Sequence, residues 1–155
     1  MITEQDIVGT WLMDDRGATT EHDHLVADRY GAKQEGLLLI SSDGWLLAAV
    51  CWADRPPLTD NPAFHTDAPD KDRLRAFDTY LSYGGNWRLE DGRLITKVRF
   101  ALNPGWVGTE EVRGLELLDD GRLKLTVTRR WPTGEEIEAW VTWRRAEATL
   151  RSKPG

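Results

Sequence analysis

The sequence predicts an all-β protein: one antiparallel meander closing into a barrel of eight to ten strands, with a single helix covering or plugging an end. Three observations carry this. Asp43-Gly44, Asp91-Gly92 and Asp120-Gly121 each interrupt two apolar runs, and such pairs let a hairpin reverse with the strand twist intact. The runs between them alternate: Leu123, Leu125 and Val127 on one face against Lys124, Thr126 and Thr128 on the other, the period of a half-buried strand. A meander of this many strands escapes open edges by closing on itself.

Strands are expected near 8–14, weakly at 19–30, and at 35–41, 44–52, 85–90, 93–102, 108–118, 122–130 and 135–145. In the last, Ile137, Ala139, Val141 and Trp143 stand opposite Glu138, Trp140, Thr142 and Arg144. In 93–102 the alternation groups Leu94, Thr96, Val98 and Phe100. Pro132-Thr133-Gly134 is a fourth turn. The segment 53–70 holds four of the seven prolines and no period, so it is a long loop. Leu74, Phe77 and Leu81 recur at helical spacing after Pro69-Asp70 and before Gly84-Gly85, which predicts a helix over 71–83.

At 155 residues the chain fits one domain with a full core, about 6–145, and a polar tail over 146–155. The net charge of −6, with acids and bases interspersed, argues against nucleic acid as partner. No apolar run approaches the roughly 20 residues of a membrane span. MITEQDIVGT lacks the marks of a secretory leader and Cys51 is the one cysteine, so the expectation is a cytoplasmic monomer or homodimer. Phosphate-loop, dinucleotide and nucleophile-elbow motifs do not occur, and no cofactor is called for.

DIVGTWLM, EGLLLISSDGWLLA, AFDTYLSYGGNWRLEDG and NPGWVGTEEVRGLEL followed by DGRLKLTV together resemble the bacterial lipocalin-like domain family, in order, from about residue 6 to 145. The resemblance implies a calycin-type barrel that binds a small molecule. Related barrels include cofactor-free cyclases, isomerases and hydratases. Gly9-Thr10-Trp11 is similar to the G-x-W signature of lipocalins proper, which implies that Trp11 packs under Arg144 or Arg145 from the last strand. Where many relatives carry histidine before the segment matching Asn103, this chain has Thr96 and Lys97.

Several residues are candidates for chemistry. Along TEEVRGLEL, Thr109, Glu111, Arg113, Leu115 and Leu117 share the face that turns apolar, so Glu111 and Arg113 are expected to point inward as a pair. There Arg113 would orient an anion or carbonyl and Glu111 would accept a proton, with Tyr80 as hydrogen-bond donor and Asp78 beside it on the helix shoulder. Eight tryptophans suit an aromatic cavity, the candidates being Trp45, Trp52, Trp87, Trp106 and Trp140, with Phe100. His22 and His24 of EHDH share one strand face as possible ligand contacts. With Glu21, Asp23 and His65 they have metal-ligand chemistry, but the spacing is too common to define a metal site. The leading expectation is binding of a small apolar or aromatic molecule. The alternative is a cofactor-independent cyclase, isomerase or lyase working by proton transfer.

Overall fold

The computed structural model describes residues 1–18, 33–61, 63, 65–130 and 133–147. Among them are eight strands, β1 (Gly9–Ala18), β2 (Gln34–Ile40), β3 (Trp45–Trp52), β4 (Tyr80–Glu90), β5 (Arg93–Ala101), β6 (Glu110–Leu117), β7 (Leu123–Arg130) and β8 (Glu136–Arg145). They pair antiparallel in chain order, and β1 closes on β8. The weak strand expected at 19–30 lies outside the described residues.

The Asp-Gly turns determine more than local reversal. Gly44, Gly92 and Gly121 all take positive φ, the conformation that suits glycine in a right-twisted hairpin turn, and at Asp91-Gly92 both residues do. These turns join β2 to β3, β4 to β5 and β6 to β7. Alternate connections of a meander share an end, so the tight turns lie together and the long connections lie at the opposite, far end.

The tight-turn end is sealed by a short helix, α1 (Glu4–Ile7), and by Trp11. Trp11 is 0% exposed, its indole N–H donates to Ile7 O at 2.9 Å, and the Arg145 guanidinium lies 4.2 Å from the ring centroid. Arg145 also donates to Asp6 O (2.7 Å) and Val8 O (3.1 Å). Of the two arginines the resemblance allowed, Arg145 is therefore the partner. Gly9 has φ +144°, and a Cβ there would fall 2.7 Å from an Arg145 nitrogen. The glycine of Gly9-Thr10-Trp11 thus makes room for the arginine that covers the tryptophan. Leu38, Ile40, Leu46, Leu94, Val98, Leu123 and Trp87 complete the core around it.

Two bulges reset which side chains enter the barrel. In β5, Gly84 pairs with Phe100 and Gly85 with Val98, so Arg99 is the extra residue. A Cβ on Gly85 would lie 1.9 Å from Lys97 O, so the bulge demands glycine there. Val98 is buried but Phe100 is 51% exposed, its ring lying over Gly84. The alternation that grouped Phe100 with Val98 is broken by Arg99, and Phe100 is on the outer wall. A second bulge, between Met13 and Asp15, sets Arg16 opposite Val141 on the inner face.

The predicted helix is shorter than its spacing implied. The second helix, α2, spans Asp70–Asp78. Thr79 Oγ1 turns back to Arg75 O at 2.8 Å, and from Tyr80 the chain pairs with β3. The segment Leu81 to Trp87 alternates as well as it spirals, and the open β3 edge, which needs hydrogen-bond partners, decides for strand. No residue of α2 is buried: Leu74 is 62% and Phe77 48% exposed. The helix is tied to the barrel through Arg55, which donates to Ala76 O (2.9 Å) and Thr79 Oγ1 (3.2 Å), so its apolar residues do not plug the end.

Three surface carboxyls are held below their ordinary values: Asp6 by the Thr3 N–H and hydroxyl, Glu110 by Arg88, and Asp120 by the Arg122 N–H and side chain. A carboxyl with a depressed folded value adds stability above its unfolded value and loses it as pH falls through the folded one. The urea midpoint is therefore expected to fall with acidification below about pH 4.5, and Glu110→Gln to flatten part of that slope. A midpoint constant from neutral to acid pH would exclude these groups as contributors.

Candidate ligand site in the barrel interior

β6 settles the pair expected to face inward. Glu111 stands opposite Thr96, 2% exposed, and Arg113 opposite Leu94, 1% exposed. Their side chains are 16% and 12% exposed, and Arg113 Nη2 lies 2.6 Å from Glu111 Oε2. On the other face of β6, Glu110 pairs with Arg88 at 2.9 Å. One strand thus carries two neighbouring acids with opposite surroundings, as a period of two dictates.

Around the pair the tertiary structure builds a ring of contacts. Arg129, on the rim of β7, reaches Glu111 Oε2 at 3.7 Å. The Arg113 guanidinium lies 5.8 Å from the Tyr83 ring centroid, and that of Arg129 lies 5.4 Å from Trp106. Tyr83 and Trp106 meet edge to face at 5.7 Å. Each arginine is therefore held between one shared carboxylate and one aromatic face, arrangements that suit a planar cation. Trp106 is placed by its turn: Asn103 Oδ1 accepts from Gly105 N at 3.0 Å, and Thr109 Oγ1 donates to Trp106 O at 2.7 Å.

Behind this ring lies a cavity of about 120 Å³, its wall formed by Leu38, Ala48, Val50, Leu81, Tyr83, Leu125, Val127, Ala139, Val141 and Trp143, with Arg113 as the charged member. It fills the half of the barrel toward the far end. A larger recess, about 240 Å³, lies outside between the 55–58 loop and α2. Its Arg55 is already spent on holding the helix, so the interior cavity is the better ligand site.

The other candidates are scattered. Tyr80 pairs with Cys51, on the outer face, with the Arg55 guanidinium 5.4 Å from its ring. Asp78 ends α2 and is exposed. Neither faces the cavity, because the helix that was to carry them inward stops before Tyr80. Trp45 is 47% exposed. Trp87 belongs to the core at the tight-turn end, its N–H donating to Ser41 O at 2.9 Å. Trp52 is half-buried on the inner series of β3 but does not line the cavity. Trp140 touches the cavity wall, yet its ring lies against Gly17 and under Lys124, whose ammonium is 5.9 Å from the centroid. His22 and His24 lie outside the described residues. His65 is exposed, and among the described residues no three His, Cys, Asp or Glu side chains converge as a metal site would need.

Sequence reasoning missed Tyr83, assigned to the helix, and Arg129, whose neighbour Arg130 disguised its parity. Trp143, Val141, Ala139, Leu125 and Val127 were legible as an apolar series, though not as the wall of a cavity.

The closed meander, the sealed Trp11 end and an apolar interior with one charged wall residue define a ligand-binding type of β-barrel. The chain belongs to the lipocalin-like domain family, whose model matches residues 8–146. None of the curated proteins compared with it matches.

Proposed function

We propose that this protein binds a small, largely apolar or aromatic molecule inside the barrel, with Arg113 as its polar anchor. The observation that carries the reading is a guanidinium set into the wall of an otherwise apolar cavity. Pockets built this way use apolar area for affinity and a few placed polar groups for orientation. Glu111 and the Tyr83 ring hold Arg113 in place before any ligand arrives, which lowers the ordering cost of binding. The lone Cys51 suits a reducing cytoplasm, where we place the binder.

The alternative, proton-transfer catalysis, would use Glu111 as base, Arg113 as oxyanion or carboxylate clamp, and Tyr80 or a histidine as acid. Two features weigh against it. Glu111 is shared by two arginines, and Tyr80 lies on the outer face beside Cys51.

Titration with benzoate followed by NMR, with native mass spectrometry of the purified protein alongside, tests the reading. Arg113→Met keeps much of the apolar stem and is expected to weaken benzoate binding by about tenfold or more, the worth of a hydrogen bond to a charged group. Equal affinity in the variant, or no binding of any small aromatic, would overturn it.

A further inference from the structure

Charge is distributed unevenly across β6. On its outer face one arginine serves two acids: Arg88 reaches Glu110 and Glu90, both at 2.9 Å. On its inner face one acid serves two arginines: Glu111 Oε2 lies 2.6 Å from Arg113 and 3.7 Å from Arg129. The inner trio therefore carries one formal cation in excess, in a chain whose net charge is −6. Arg16, inward on β1 opposite Val141, is engaged in contacts of its own.

The register shows where that charge falls. Gly114 is opposite Thr126, so continuing the antiparallel count brings Arg113 beside Val127 and Glu111 beside Arg129 on the inner faces. Cation, anion and cation occupy three corners of this set of four. The fourth corner is Val127, an aliphatic side chain of the cavity wall. Arg113 lines the same cavity, and Arg129 stands at the next inner position beyond Val127, half exposed at the rim. Alternation of charge thus breaks at the corner that opens on the cavity.

We propose that the ligand is a monocarboxylate with a short apolar tail, and that Arg129 is a second binding residue for it. The carboxylate lies over Val127 between Arg113 and Arg129, completing the alternation that Glu111 begins, and the tail enters the cavity. This rests on the ligand-binding reading and adds to it a charge and a second arginine. Planar guanidinium forks match a carboxylate in shape as well as sign. A rim arginine holds a ligand well only where something restrains it, and the Trp106 ring, 5.4 Å from the Arg129 guanidinium, does so here. The cavity, about 120 Å³, is smaller than the roughly 150 Å³ that surrounds benzene in a dry engineered cavity, which keeps the tail short.

The test titrates the full-length protein and Arg129→Gln with sodium pentanoate and with pentanamide, its neutral isostere, at neutral pH, followed by ¹H–¹⁵N spectra. The parent is expected to bind pentanoate about tenfold more tightly than pentanamide, the worth of hydrogen bonds to a charged group. In Arg129→Gln that ratio is expected to fall close to unity, because Glu111 then balances Arg113. A change that merely disturbed the rim would weaken both compounds and leave their ratio standing. A ratio near unity in the parent, or an undiminished ratio in Arg129→Gln, overturns the proposal while the binding reading stands. Binding of benzoate without binding of pentanoate does the same. If pentanoate, pentanamide and benzoate all fail to bind, the binding reading itself fails, and this proposal with it.

Discussion

Trp11→Ala is expected to lower stability by about 3–5 kcal/mol, the range for deleting a buried large aromatic, and to lower Tm by about 10 °C or more for a chain of this size. The loss has three parts. The ring is 0% exposed, so its removal leaves a void that Leu38 and Leu123 on rigid strands cannot fill. Its N–H no longer satisfies Ile7 O, which loosens α1. Arg145 loses the aromatic face it covers, an interaction worth about 0.5–2 kcal/mol. Arg145→Ala should cost less, because its own bonds to Asp6 O and Val8 O are at the exposed surface. The double variant should lose less than the sum, by about 1 kcal/mol, since the two side chains touch. Thermal unfolding of the four proteins checks this. A Trp11→Ala protein melting within a few degrees of the parent would mean that this end is not what seals the barrel.

Glu111→Ala should be the second large effect, about 2–3 kcal/mol. Breaking a buried ion pair by removing one partner costs about 3–5 kcal/mol because a charge is left uncompensated. The Arg113 side chain is 12% exposed, while Arg129 is half exposed and recovers water, which places the expected value toward the lower side. Replacing the pair by Glu111→Gln with Arg113→Met should restore most of the loss, as neutral groups of similar shape usually do. Urea denaturation separates these outcomes. If Glu111→Ala is neutral, the pair is not held in a low-dielectric interior, and the cavity behind it is wetter than its walls imply.

Both predictions concern residues that were legible before the fold was known. Trp11 could be read from Gly9-Thr10-Trp11 and its resemblance, and Arg145 was one of two residues that resemblance allowed. Glu111 and Arg113 were legible too, because β6 runs without a bulge and its parity survives from Glu110 to Leu117. Phe100 was misread for the converse reason: Arg99 is an extra residue, and one insertion reverses every side chain beyond it. Tyr80 and Tyr83 were misread because Leu74, Phe77 and Leu81 fit a helix locally. Pairing of residues 80–90 with two neighbouring strands outweighs that preference, and no local pattern contains it.

The sealed end was implied by the resemblance that Gly9-Thr10-Trp11 carries; by itself the sequence determined the fold class, the three Asp-Gly turns and the inward parity of Glu111 and Arg113. Each depends on residues close along the chain, whose φ or alternation is a local property. The tertiary structure alone decided which aromatics line the cavity, how Arg129 and Arg113 come to share Glu111, and that the Trp143 N–H is buried without an acceptor. Those depend on bulge positions and barrel register, through which residues on β4, β6, β7 and β8 come to share one interior.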